Sequence, residues 1–379
     1  MEETGSQKLR AAEAGIFSLA VFLPVFILSA HIGERELSRA YPLAWSLFAA
    51  AAAFAIAYTG RVSFYRRIFF SVSALAFLAH FKLSLFSRIF EASCFKDTPF
   101  CHIAIAPNFL NYLYQQYLAF MSGGWKLWGP LTLGAAWIFI TLAIGRAWCS
   151  WACFYGGIDD GLSALPRRPL LKGGSWALKL RDLPAALLAF MLLVSFAYTL
   201  PVYCLWLCPF KLTDVFMDAG AATHRLQYAL MALALAALVI GPLLTKKRVF
   251  CSYLCPFAAW QAFWGRVNPF RITVDREHCS GCLVCATACP MTAIKCGPDG
   301  RPEVLPYCNL CGECLGACPS GGFRYTLLGL DLPAAGPAAR LLTAQNFFVF
   351  SALTLGAVFS SLWAPAALRD VVKLLAGGN

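Results

Sequence analysis

Charge is scarce in this sequence. Only 13% of its 379 residues are Asp, Glu, Lys or Arg, against about a quarter in soluble domains. Acid is the scarcer sign, with 19 acidic residues against 31 basic ones, and histidine occurs five times. There is no Walker loop, no Rossmann glycine pattern, no C-x-x-C-H run and no hydrolase triad, so nothing points to ATP, NAD, covalently attached haem or nucleophilic catalysis. Low-complexity tracts are missing too, and an aromatic share of 15% excludes disorder. What is present is apolar: 59% hydrophobic residues and a mean hydropathy of +0.64, which excludes a water-soluble enzyme. The second anomaly is seventeen cysteines. The chain is too long and too apolar for a small disulfide scaffold, so most of these thiols are expected to bind metal. The net charge of +12 reads as basic cytoplasmic loops rather than nucleic-acid contact.

Seven apolar stretches approach the ~20 residues that cross a bilayer. They lie near 12–32, 43–59, 68–86, 131–147, 183–203, 227–244 and 345–366. The first is too long for a signal peptide and ends in a poor cleavage site at Leu28-Ser29-Ala30, so it reads as an uncleaved span. The loop Arg61 to Arg67 carries three arginines and no acid. Arg146, Arg167, Arg168, Lys172, Lys179 and Arg181 share the segment 146–182, and Lys246, Lys247 and Arg248 follow the sixth span. Between them, Arg35 and Arg39 are balanced by Glu34 and Glu36, and 203–226 holds only Lys211 and Arg225 as basic residues. This alternation predicts a cytoplasmic N-terminus, with 60–67, 146–182 and 245–344 inside and 33–42, 87–130 and 203–226 outside. The tail from Arg369 then falls outside.

Between Arg271 and Leu327 the composition changes. Two runs appear, Cys279-x2-Cys282-x2-Cys285-x3-Cys289-Pro290 and Cys308-x2-Cys311-x2-Cys314-x3-Cys318-Pro319. This is the spacing of bacterial two-cluster ferredoxins, where the fourth cysteine of each run ligates the other cluster. Three thiolates on one tight turn grip three corners of a cubane, and the duplicated half supplies the fourth. The expected ligand sets are Cys279, Cys282, Cys285 and Cys318 for one [4Fe-4S] cluster, and Cys308, Cys311, Cys314 and Cys289 for the other. Zinc knuckles do not call for two complete runs. Strand-like pieces at Arg271–Val274, Thr292–Lys295, Glu303–Leu305 and Phe323–Leu327 fit a small α+β fold, and Cys296 is left over as a packed or idle thiol.

Three further pairs have the spacing C-x3-C: Cys149/Cys153, Cys204/Cys208 and Cys251/Cys255. On a continuous helix each pair would present two thiols on one face. Arg146-Ala-Trp-Cys-Ser-Trp-Ala-Cys153 and Arg248-Val-Phe-Cys-Ser-Tyr-Leu-Cys255 are copies of one pattern, and both end spans that run from outside to inside. They are expected to form an inner metal or cluster site, against the alternative of buried apolar cysteines. Cys204 and Cys208 are predicted outside, together with Cys94 and Cys101. Three readings of these four stay open: disulfides in an oxidising exterior, another cluster, or a redox-active dithiol. His80, in the third span, is the candidate proton acceptor if the chain oxidises quinol, against a histidine packed between helices. Asp159 and Asp160, after Gly156-Gly157, read as a turn and helix cap rather than a cation site.

With these motifs in place the chain resembles the membrane-bound polyferredoxins of the NapH/NosR type, over roughly residues 131–327. Members share several membrane helices, two cytoplasmic C-x3-C-P motifs and a following two-cluster ferredoxin segment. The second motif matches in full at Cys251, Cys255 and Pro256, whereas the first has Phe154 in place of proline. The outer cysteines are not part of that pattern.

The expected fold is a multi-span α-helical membrane protein with an inserted cytoplasmic α+β two-cluster bacterial ferredoxin domain. Residues 1–250 would form the membrane domain with six helices and C-x3-C pairs. Residues 251–330 would hold the second inner motif and the ferredoxin, and 331–379 a linker, a seventh helix and a short tail. The expected cofactors are two [4Fe-4S] clusters and one or two further Fe–S or metal sites. The expected role is electron transfer in a bacterial or archaeal cytoplasmic membrane, as a subunit of an oxidoreductase system. The partners would be the lipid bilayer, a cytoplasmic or quinol-pool donor or acceptor, and an extracytoplasmic redox protein, with no nucleic acid. A copper-handling or oxidase-assembly factor, or a redox sensor, are the alternatives, since soft thiolates also suit Cu(I).

Overall fold

The computed structural model describes residues 2–32, 37–81, 102–171, 180–210, 221–330 and 342–376. Helices α1 (Glu2–Ile32), α2 (Ala40–Thr59) and α3 (Val62–His80) open the chain, followed by α4 (His102–Ile105), α5 (Phe109–Met121) and α6 (Trp128–Ala143). Next come a 3-10 turn at Gly145–Ala147, the short α7 (Trp148–Trp151), α8 (Phe154–Ala164), α9 (Leu183–Tyr198), α10 (Val202–Trp206) and α11 (Ala221–Thr245). A π-turn at Phe250–Leu254 leads into α12 (Pro256–Trp264). The ferredoxin-like part runs β1 (Phe270–Val274), α13 (Val284–Ala288), β2 (Ile294–Cys296), β3 (Pro302–Val304), α14 (Glu313–Ala317), β4 (Phe323–Leu327), and α15 (Ala344–Ser360) and α16 (Ala364–Leu375) close the chain.

The chain divides into two compact units. One comprises Met1–Ser87, Ile140–Gly161 and Val267–Asn379, the other Arg88–Phe139 and Leu162–Arg266. The ferredoxin-like part groups with α1–α3 and the 140–161 segment in the first of these units.

Among the described residues, five helical stretches are long and apolar enough to cross a membrane: Arg10–His31, Ala40–Thr59, Val62–His80, Leu180–Tyr198 and Arg225–Thr245. Their apolar side chains are largely uncovered, as at Leu19, Ile27, Leu75 and Phe190, which water would penalise and hydrocarbon does not. The count reaches seven only if two bent helix pairs each make one span. These are the stretches expected at 131–147 and 345–366, and neither is a straight helix. After Ala143 the Asn268 amide donates to the carbonyls of Thr141 and Leu142 at 2.9 and 3.1 Å, satisfying groups that the next helical turn would have used. The chain then turns at Gly145, whose φ is +49° and whose missing Cβ makes room for the Asn268 side chain. In the last helix, Ser360 and Ser361 bond back to the carbonyls of Gly356 and Ala357, and Pro365 cannot continue the ladder. The axis therefore bends by 51° between α15 and α16.

In the first unit α8 packs on α3 through two glycines one turn apart. A Cβ on Gly157 would stand 2.6 Å from Ala74 Cβ and from the Phe70 carbonyl, and one on Gly161 would stand 2.7 Å from Ser71 Oγ. Small residues at this spacing let two helices approach closely in lipid. Trp45 Nε1 donates to the Ala357 carbonyl, and Trp363 Nε1 to that of Ser73, both at 3.0 Å. In the second unit, Ser195 Oγ donates to Asn108 Oδ1 at 2.5 Å, and Trp137 stands edge-on to Phe257 and Trp260.

Candidate iron–sulfur centre

The strands of the ferredoxin-like part lie where the residue pattern puts them, within two residues. β1 pairs antiparallel with β4, Phe270 facing Leu327, and β2 pairs antiparallel with β3, Ile294 facing Val304. The two cysteine runs have matching backbones. Gly281 and Leu310, at one position of the two runs, have φ of +71° and +57°. Leu283 and Gly312, at another, have +53° and +80°. Leucine in this left-handed region is uncommon, and strained backbone of this kind clusters at binding sites. After the fourth cysteine of each run the correspondence continues. The Ala293 amide donates to Cys289 Sγ and the Gly322 amide to Cys318 Sγ, each at 3.3 Å.

Thiols of the two runs act on one another, and Cys285 acts on Cys314 across the two expected sets. Cys318 is among the charges that act on Cys282 and Cys285. Cys289 acts on Cys308, Cys311 and Cys314. A small hollow is lined by Cys289, Cys308, Cys311 and Cys314, with Ile272, Pro290, Met291, Ile294 and Val304 among the apolar walls. Four thiols around a mostly apolar hollow suit a cubane with four thiolate corners. Among the described residues no group of three or more His, Cys, Asp or Glu side chains converges closely enough to hold a single metal ion.

The two thiol sets differ in exposure. In the first set Cys282 is exposed, Cys279 and Cys318 are half-buried and Cys285 is buried, whereas in the second Cys289, Cys311 and Cys314 are buried and Cys308 is half-buried. Hydrogen bonds from the Val284 backbone and the Ser280 side chain hold the Cys282 thiol below its ordinary range. Burial raises Cys318, but its bonds with Ser320 and the Gly322 and Gly321 backbone more than offset that. Burial, followed by the neighbouring Cys289, pushes Cys308 up to about 11, and burial drives Cys311 and Cys314 up strongly. Cys296 stands exposed on β2 outside both sets.

The first C-x3-C segment is bonded to the second cysteine run. Ser150, between Cys149 and Cys153, donates through Oγ to the Asn309 carbonyl at 2.5 Å. Arg146 donates to the Pro306 carbonyl and its guanidinium lies 5.5 Å from the centre of the Tyr307 ring. Cys149 and Cys153 are both buried. The regular one-turn stacking expected of C-x3-C pairs is not what forms, because each pair straddles a helix end. Cys149 lies in α7 and Cys153 beyond it, its amide bonded to the Trp148 carbonyl. Cys251 lies in the π-turn and Cys255 is extended at its end, while Cys204 lies in α10 and Cys208 after it. A new helix starts directly after Cys153 and after Cys255. Pro256 begins α12, where its missing N–H costs nothing. In the first copy Phe154 replaces it and stacks on Phe77 with ring centres 3.6 Å apart.

Cys149 and Cys153 belong to one unit, and Cys251 and Cys255 to the other. In its own unit Cys251 accepts from Nη2 of the fully buried Arg248 at 3.4 Å. Cys204 is buried and Cys208 partly so, whereas Cys94 and Cys101 lie outside the described residues. His80 is buried, with Nδ1 3.9 Å from Asp370 Oδ2 of α16. Asp159 and Asp160 are not in a turn. They lie inside α8, both fully buried.

Asp160 meets a residue that the sequence marked only as part of a basic loop. Arg66 is fully buried and reaches Asp160 Oδ2 at 2.9 Å, the Ser150 carbonyl at 2.9 Å and Glu313 Oε1 at 3.6 Å. Arg67 closes the network on Glu313 at 2.6 Å and Asp160 at 3.3 Å. A polar residue facing the bundle from the first turns of an apolar span was the available signal.

A family model described as a 4Fe-4S binding domain matches residues 127–172, 182–217 and 228–273, so each C-x3-C pair falls within one matched segment. A second 4Fe-4S binding domain model matches 272–295. YccM of Escherichia coli (strain K12), named for electron transport, is 28% identical over 61% of this chain and 63% of its own length. The regulatory protein NosR of Pseudomonas aeruginosa is 29% identical over 55% of this chain and 28% of its own. The ferredoxin-type protein NapH of Escherichia coli (strain K12) is 27% identical over 50% and 64%. The chain thus spans less than two thirds of the length of these relatives. No solved structure matches it. By its motifs, its 4Fe-4S binding segments and its relatives, the chain resembles the ferredoxin-type proteins of the NapH/NosR kind.

Proposed function

We propose that the chain is a membrane iron–sulfur electron-transfer protein, linking a cytoplasmic or quinol-pool donor to an extracytoplasmic redox partner. Cys279, Cys282, Cys285 and Cys318 hold one [4Fe-4S] cluster, and Cys289, Cys308, Cys311 and Cys314 the other. Bound there, the clusters supply one-electron chemistry. The chain does the rest. The exposed Cys282 presents the first ligand set to a soluble partner, and the second set, with three of its four thiols buried, is turned toward the helices. The observation that carries this reading is the bonding of the Cys149–Cys153 segment to the second run, by Ser150 to Asn309 and Arg146 to Pro306. A tethered carrier needs no such contact with a membrane-helix motif. Cys149, Cys153, Cys251 and Cys255 are the next thiols on this route, and Cys204 and Cys208 belong to a further site or a disulfide. The 4Fe-4S match over 182–217 favours the former.

Iron and sulfide analysis with EPR of the anaerobically purified protein tests this. More than the about eight irons of two [4Fe-4S] clusters, falling when Cys149 and Cys251 are both replaced by serine, is the expected result. Iron confined to the ferredoxin-like part, with copper at the C-x3-C pairs, would instead make the chain a metal-handling factor.

A further inference from the structure

Arg66 is an expensive residue to bury. Taking a guanidinium and a carboxylate out of water costs several kcal/mol per ion before their attraction is counted, and a helix that only had to pack would carry leucine there. Arg66 and Asp160 are both fully enclosed, and Arg67 and Glu313 join them in a four-member network. Glu313 lies between Cys311 and Cys314 in sequence, so the network is anchored inside the second cysteine run. The same guanidinium holds the Ser150 carbonyl, between Cys149 and Cys153. The close approach of α8 at Gly157 and Gly161 brings Asp160 against α3 and keeps this cation in place.

We propose that Arg66 is the positioning residue that sets the reduction potential of the second cluster, its fixed positive charge favouring the reduced form held by Cys289, Cys308, Cys311 and Cys314. The inference rests on the ligand assignment proposed above. An electron entering this enclosed site adds one negative charge. A cation held nearby stabilises that form more than the oxidised one, and low local dielectric enlarges the difference. Asp160 and Glu313 work in the opposite sense, and their bonds to Arg66 hold the guanidinium in one place.

The test is an EPR-monitored titration of the full chain with dithionite in detergent, with Cys311→Ser marking the signals of the second cluster. Arg66→Gln should lower the reduced-to-oxidised ratio of the second cluster about tenfold at a fixed poise, a shift of ~59 mV for a one-electron couple. The first cluster should not move, and Arg66→Lys should restore most of the shift. Asp160→Asn should move the second cluster the other way, and it decides the matter if Arg66→Gln does not accumulate. An unmoved potential with all iron retained, a shift of the wrong sign, or an equal shift in both clusters overturns the proposal. A wild-type protein lacking the second cluster's iron would sink the ligand assignment, and this inference with it.

Discussion

Gly157→Val should uncouple α8 from α3. Valine needs a Cβ where the structure leaves 2.6 Å to Ala74 Cβ and to the Phe70 carbonyl. A backbone carbonyl in the middle of α3 cannot swing aside, so the helices must part. Overpacking of this kind costs roughly 1–3 kcal/mol. Parting also draws Asp160, three residues along α8, away from Arg66 at 2.9 Å, and breaking a fully buried ion pair costs about 3–5 kcal/mol. The two costs overlap, because one movement relieves the first by incurring the second, so about 3 kcal/mol is the expected total. Gly15→Ala in α1 is the control. Nothing lies within 4 Å of the added carbon, so the gain in helix propensity, ~0.5–1 kcal/mol, should appear alone. Thermal unfolding in detergent, followed by circular dichroism and cluster absorbance together, separates the two. A Gly157→Val protein that melts with the wild type would refute the packing argument and the network built on it.

Three other outcomes follow from the same geometry. Cys311→Ser should lose about half of the iron held by the ferredoxin-like part, whereas Cys296→Ser should lose none, because Cys296 is exposed on β2 outside both sets; equal losses would contradict the assignment. Phe154→Pro should cost no more than Phe154→Ala, about 3 kcal/mol for the lost stack on Phe77, because proline suits the first position of a helix; a much larger loss for proline would show that α8 needs the Phe154 amide. The carboxyl of Asp275 is held below its ordinary range by the Glu277 amide, then by His278 and Arg324. A carboxylate with a depressed folded pKa stabilises above its unfolded value and loses that contribution as pH falls through the folded one. Melting temperature should therefore drop on acidification below about pH 4, and Asp275→Asn should be lower at neutral pH and less acid-sensitive; identical acid profiles would count against the pin.

The strands around the cysteine runs, and the runs themselves, were legible in the sequence because they depend on local spacing. A C-x2-C-x2-C-x3-C-P run is specified within a dozen residues, and the pieces around Phe323–Leu327 form as the pattern predicts. The Arg66–Asp160 pair was not legible. Its members are 94 residues apart, and each has a plausible local reading, one as a topology-setting basic loop and the other as a helix cap. Only the approach of two glycines to α3 brings them together. The breaks in the fourth and seventh expected spans were hidden for a similar reason. Hydropathy sums pass smoothly over Gly145, whereas the turn there is made by the Asn268 side chain. The C-x3-C pairs misled in a third way: a spacing of four suggests one helical turn, but the second cysteine of each pair leaves the helix.

Reduction of a dye sealed inside liposomes tests the central claim most directly. The reconstituted protein, oriented with the ferredoxin-like part outward and given an impermeant external reductant, should reduce the enclosed dye, and Cys149→Ser should slow that reduction without removing the ferredoxin iron. A dye that stays oxidised while every cluster is present and reduced would contradict the account.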